Sequence, residues 1–164
     1  MAVANPADFT SANLVVPELR GRTCAEAIDE LLSVLWRHGK MEELAPVRDL
    51  VMKRELASPT VVHPGWAMPH ARIPGKGELC FALGRCRAGL SWFNSGALPV
   101  RVVFLFIVPE SEAMAYLRLV SALARLSGDA SVCAQLLAVP DPAGILGLLA
   151  QPGMRAPNGG SGKP

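Results

Sequence analysis

Apolar residues recur at helical spacing after Thr23, where Ile28, Leu31, Leu32 and Leu35 share one face. The run T-C-A-E offers a capping box at its start, with Glu26 reaching back to Thr23, and Gly39 marks its end. A second helix is expected over roughly Met41 to Leu56, burying Leu44, Val47, Leu50 and Val51. From Ser58 to Gly77 the helical period stops. Pro59, Pro64, Gly65, Pro69, Pro74 and Gly75 impose turns and extended backbone with many unpaired peptide groups. Leu79 to Arg85 reads as a strand, and Arg101 to Val108, R-V-V-F-L-F-I-V, reads as a strand covered on both faces. Ala113 to Leu126 then puts Leu117, Val120, Leu123 and Ala124 on one helical face. Ser131 to Ala138 and Pro142 to Leu149 form shorter helices, the last with Asp141 as cap and Pro142 in the first turn.

With an opening strand near Asn13 to Val16, this order indicates a layered α/β domain over residues 1–150. Residues 151–164 have almost nothing to bury and are expected to be a disordered tail. A length of 164 residues with 51% hydrophobic content suits one domain with a sizeable core. The net charge of +2 is spread along the chain, which argues against nucleic acid or an anionic membrane as partner. No basic segment followed by an apolar one opens the chain, and no apolar run reaches membrane-spanning length, so a cytoplasmic location is expected. Cys24, Cys80, Cys86 and Cys133 show no C-x-x-C pairing and are expected to be reduced.

Of three histidines, His63 and His70 fall in the turn-rich segment H-P-G-W-A-M-P-H-A-R. Neutral imidazole is nucleophilic near neutral pH, and a nearby cation can offset the charge of an incoming phosphoryl group. Arg72, two residues on, and Arg54, near the end of the second helix, are the candidate cations, since a guanidinium can hold two phosphate oxygens. Thr60 is a candidate hydroxyl donor. Against this stands the ordinary fate of a loop histidine, which is to be solvated or hydrogen-bonded without reacting. His63, His70, Cys80 and Cys86 lack the short paired spacings of a zinc site, so no metal is expected, and no phosphate-binding loop, dinucleotide fingerprint or nucleophile elbow is present. Trp36, Trp66 and Trp92 are expected in core or loop packing.

Four segments, R-E-L-A-S-P-T, A-M-P-H-A-R-I-P-G, V-V-F-L-F-I-V-P-E and L-R-L-V-S-A-L-A-R-L, together resemble the type-2 enzyme IIA domains of the bacterial phosphotransferase system, the fructose, mannitol and nitrogen-regulatory group. The resemblance runs from about Asn13 to Leu149. It implies a three-layer α/β/α fold with a central mixed β-sheet flanked by helices, and no cofactor. It also implies that His70 accepts phosphate from a histidine phosphocarrier protein, HPr or its nitrogen-branch counterpart, for a IIB domain or a regulatory target. Arg54 and Thr60 match the family's active-site arginine and threonine. Many members carry a second histidine in the helix after the P-E strand, where this chain has Tyr116, so a phenol is expected to assist there. Without a sugar-specific feature the chain leans toward the nitrogen-regulatory branch. The alternative is a non-catalytic docking module that regulates a kinase, a transporter or a transcription factor.

Overall fold

A computed structural model describes residues 4–93, 96 and 98–150. The tail expected over residues 151–164 lies outside them. Helix α1, Cys24–Arg37, starts at the expected capping box: the Thr23 hydroxyl accepts from the Glu26 N–H, and the Glu26 carboxylate accepts from the Thr23 N–H. It ends before Gly39, whose φ of 69° lies in the left-handed region. Helix α2 spans Leu44–Ala57, and the bond from Arg48 to Asp29 ties it to α1.

The strands are β1 (Val15–Val16), β2 (Val61–Val62), β3 (Trp66–Ala67), β4 (His70–Ile73), β5 (Cys80–Leu90) and β6 (Val100–Pro109). They form a mixed sheet in the order β1-β5-β6-β3-β2, with β4 also paired to β6. β5 runs antiparallel to β6, whereas β3 and β4 both run parallel to it, in line with each other. The segment expected to leave its peptides unpaired is thus tied to the sheet over two short stretches, interrupted at Met68-Pro69. Even at the interruption, the Phe106 N–H donates to the Pro69 carbonyl at 3.0 Å.

Alternation along β6 sorts the core into two. Val103, Leu105 and Ile107 face α1 and α2 with Ile28, Leu31, Leu32, Leu35, Val47 and Val51. Val102, Phe104, Phe106 and Val108 face the other side with α3 (Ala113–Ser127), α4 (Ala130–Ala138) and α5 (Pro142–Ala150). The result is the expected sheet between two helical layers. Asp141 caps α5 as anticipated, accepting from the Gly144 N–H at 2.7 Å.

Three expectations about packing need correction. In α2 the buried stripe is Val47, Val51 and Glu55, spaced four apart, and Leu50 is 45% exposed. In α3 nearly every position is small or apolar, so the sequence offers two faces. The sheet takes the one with Tyr116, Leu119, Leu123 and Leu126, leaving Leu117 52% exposed and Ala124 outside the core. Trp66 and Trp92 are buried, but Trp36 stands half in solvent.

Candidate functional site

Pairing of β4 with β6 sets His70 opposite Phe106 and Arg72 opposite Val108. Because side chains alternate along a strand, His70 and Arg72 share one face, while Ala71 and Ile73 join the core beside α2. Tyr116, in the first turns of α3, packs on the buried Phe106 edge to face at 5.4 Å and lies 5.3 Å from the His70 ring. Arg54 reaches the same place from the last turn of α2. Together with Leu50, Ala71 and Arg72 it lines a cavity of about 310 Å³ that includes His70. The structure therefore brings together His70, Arg54, Arg72 and Tyr116.

The electrostatics of this group are those of an anion site. Burial holds the His70 imidazole below the ordinary histidine value, helped by the charges of Arg54 and Arg72 and opposed by the Met68 carbonyl and Glu55. His70 is thus neutral at pH 7. Its Nδ1 faces the Met68 carbonyl at 3.5 Å, the long limit of a hydrogen bond. This contact favours the tautomer with the proton on Nδ1 and the lone pair on Nε2. Among the described residues, neither Arg54 nor Arg72 is paired with a carboxylate, and Arg54 donates from Nη1 to the Ser58 carbonyl at 3.0 Å. Burial pushes the Tyr116 phenol up to about 12, so it keeps its proton. Its hydroxyl makes no hydrogen bond within the described chain, although the residue is 93% buried by its 7% exposure.

Thr60 is placed differently from the expectation that it offers a free donor. Its hydroxyl gives its proton to Glu55 at 2.9 Å and accepts from the Met68 N–H at 3.0 Å. His63 is exposed on the turn between β2 and β3, away from this cavity. Two participants went unread in the sequence, Glu55 and Phe106. Glu55 had a signal, because it continues the spacing of Val47 and Val51 on a stripe otherwise apolar.

An imidazole beside two guanidiniums that have no carboxylate partner among the described residues, with a phenol that keeps its proton, on the edge of a mixed sheet between helical layers, defines an α/β module suited to hold a phosphoryl group. Residues 8–151 match the family model described as phosphoenolpyruvate-dependent sugar phosphotransferase system, EIIA 2. The chain belongs to this family, whose members are phosphotransfer components of that system. A nitrogen regulatory protein of Bradyrhizobium diazoefficiens is 26% identical over 145 residues, covering 88% of this chain and 94% of that one. The crystal structure of the nitrogen regulatory protein IIA-Ntr from Neisseria meningitidis superposes with a TM-score of 0.79 at 22% identity, over 87% of this chain and 97% of that one. The Escherichia coli mannitol IIA enzyme, solved in complex with phosphorylated mannitol IIB, has a TM-score of 0.67 at 19% identity, with coverages of 85% and 96%.

Proposed function

We propose that residues 1–150 form a cytoplasmic phosphocarrier domain in which His70 Nε2 accepts a phosphoryl group from a histidine phosphocarrier protein, HPr or its nitrogen-branch counterpart. The observation that carries this reading is the half-buried His70 ring in one cavity with two arginines that, among the described residues, have no carboxylate partner. Nε2 attacks phosphorus, the donor's N–P bond breaks, and its electron pair returns to the donor imidazole. The Nδ1 proton of His70 stays on the Met68 carbonyl side, so no proton need leave the site. Such a transfer needs little covalent help beyond positioning and charge stabilisation. Arg54 and Arg72 supply the positive charge, Tyr116 one neutral donor, and Thr60 acts through the backbone it holds.

The phosphoryl group then passes to a IIB domain or serves as a regulatory mark. The mannitol IIA relative solved with phosphorylated IIB supports the first route, and the likeness to nitrogen regulatory proteins over nearly their whole length supports the second. We favour the regulatory branch because the superposition is better on IIA-Ntr, with a TM-score of 0.79, than on mannitol IIA, with 0.67, at similar coverage. Leu50, Met114 and Leu117, exposed by 45%, 63% and 52%, give apolar contact surface on the two helices that supply Arg54 and Tyr116, which suits docking of a carrier protein. The test is intact-protein mass spectrometry after incubation with phosphoenolpyruvate, enzyme I and each phosphocarrier, under conditions that spare phosphohistidine. One added phosphoryl group, lost in His70→Gln, is expected. No uptake from either donor would overturn the carrier reading in favour of a docking module.

A further inference from the structure

Among the described residues, Glu55 is the only acidic side chain that is fully buried, and no cation pairs with it. A carboxylate so placed survives only if donors converge on it. Three do. It accepts from the Thr60 N–H at 2.8 Å, the Thr60 hydroxyl at 2.9 Å and the Trp92 indole N–H at 2.7 Å. Trp92 follows β5, so the carboxylate joins the far end of that strand to the segment leading into β2.

The connection continues to His70. Thr60, fixed at both its N–H and its hydroxyl, accepts two bonds from the Met68 N–H, through Oγ1 at 3.0 Å and its carbonyl at 3.3 Å. The Met68 carbonyl, on the other side of that residue, faces His70 Nδ1 at 3.5 Å. Within the site the charged and titratable neighbours of the imidazole are Arg54 and Glu55 from α2, Arg72 from β4 and Tyr116 from α3. Glu55 is the sole negative charge in that set.

We propose that Glu55 is a positioning residue for phosphoryl acceptance at His70: through Thr60 it fixes the Met68 carbonyl that retains the Nδ1 proton, and so keeps Nε2 the accepting atom. This rests on the carrier reading above. It assigns Glu55 and Thr60 to the orientation of the nucleophile and leaves contact with the phosphoryl oxygens to Arg54, Arg72 and Tyr116.

The experiment is nitrogen-15 NMR of the histidine rings in the full, unphosphorylated chain, comparing wild type, Glu55→Gln and Thr60→Val. The wild-type His70 ring is expected to carry its proton on Nδ1. Both variants should shift population toward the Nε2-protonated tautomer, and Glu55→Gln should also lower the His70 titration midpoint, because the one negative neighbour is gone. Transfer from the phosphocarrier should slow by about tenfold or more in both, the scale expected when a reacting group is misplaced. If Glu55→Gln does not fold, Thr60→Val carries the tautomer test alone, since its carboxylate and charge remain. Folded variants with an unchanged His70 tautomer would overturn the proposal and reduce Glu55 to a packing role. The tautomer is read without phosphate, so its outcome is separable from failure of phosphoryl uptake.

Discussion

Replacing Tyr116 by Phe separates the chemistry of the site from its architecture. The ring is what packs: it lies on Phe106 at 5.4 Å and beside His70 at 5.3 Å, and phenylalanine preserves both contacts. The hydroxyl has no partner in the described chain, so its removal should change folding stability by less than about 0.5 kcal/mol. On the carrier reading the same hydroxyl would face a dianion once His70 is phosphorylated, and a hydrogen bond to a charged group contributes about 1.5–3 kcal/mol. If that bond forms as charge shifts onto the transferring oxygens, its loss slows transfer by roughly 10- to 150-fold. The phenol retains its proton at every pH used for such an assay, because its value is pushed up to about 12. The slowing should therefore be independent of pH. Rapid-quench measurement of single-turnover transfer from a phosphorylated carrier, with thermal unfolding of the same samples, gives both numbers. A folded Tyr116→Phe protein that accepts phosphate at the wild-type rate would refute the hydroxyl's role. Tyr116→His, which adds a group able to become cationic, should speed transfer or prolong the phosphorylated state, and should bring in a pH dependence absent from wild type.

Further outcomes follow from other parts of the structure. The His70 value is held below its unfolded 6.5, so its stabilising contribution is complete above pH 6.5 and is lost as pH falls through the folded value; unfolding by urea at pH 7 and pH 5 should show this loss, and His70→Gln should lack it. Gly65 has φ of 122° and a Cβ there would strike the Pro99 carbonyl oxygen, so Gly65→Ala should cost more than about 1 kcal/mol in the same measurement, and a neutral result would refute the tight turn beside β3. Arg85 is 1% exposed and donates to the carbonyls of Pro17, Leu136 and Val139, of which Val139 keeps a long bond from Arg87 Nη2 at 3.4 Å; Arg85→Met removes all three Arg85 bonds and should destabilise by about 2–3 kcal/mol, at roughly 1 kcal/mol for each. Burial pushes the thiols of Cys24 and Cys80 up to about 12 and about 11, so alkylation should be slow in the folded protein and fast in denaturant.

Local signals in the sequence were sufficient where the deciding forces are local. The capping box at Thr23, the stripe of Ile28, Leu31, Leu32 and Leu35, and the Asp141 cap all depend on neighbours within a turn or two, and each appears as read. The β6 run was legible because nearly every residue in it is apolar and both faces are covered. What failed was the choice between faces. Leu50 and Leu117 look like core by composition, yet a helix can bury only one stripe, and which one depends on the distant sheet. β3 and β4 were illegible for a related reason: their pairing is to β6, more than thirty positions away, and prolines at 64 and 69 hid two short parallel stretches within what reads as a loop.

The same distinction explains how the candidate site came to be half visible. His70 and Arg72 announce themselves by residue type in a segment that reads as irregular, and Arg54 as a cation near the end of the helix before it. The groups that aim them do not, because Phe106 reads as one more core aromatic and Glu55 as one more charge on a helix. Yet Phe106 is the residue that locates both rings of the site, standing opposite His70 in the ladder and against Tyr116 across the layer. The ladder fixes the His70 backbone, and the packed aromatic face fixes where α3 can set its phenol. Glu55 and Thr60 then determine the carbonyl presented to Nδ1. A reaction that asks mainly for a lone pair held in line with phosphorus, with positive charge around the oxygens, needs this kind of rigid support more than further reactive groups. Mutations at Phe106 or Glu55 should therefore lower transfer by disturbing geometry, even though neither side chain lines the cavity that includes His70.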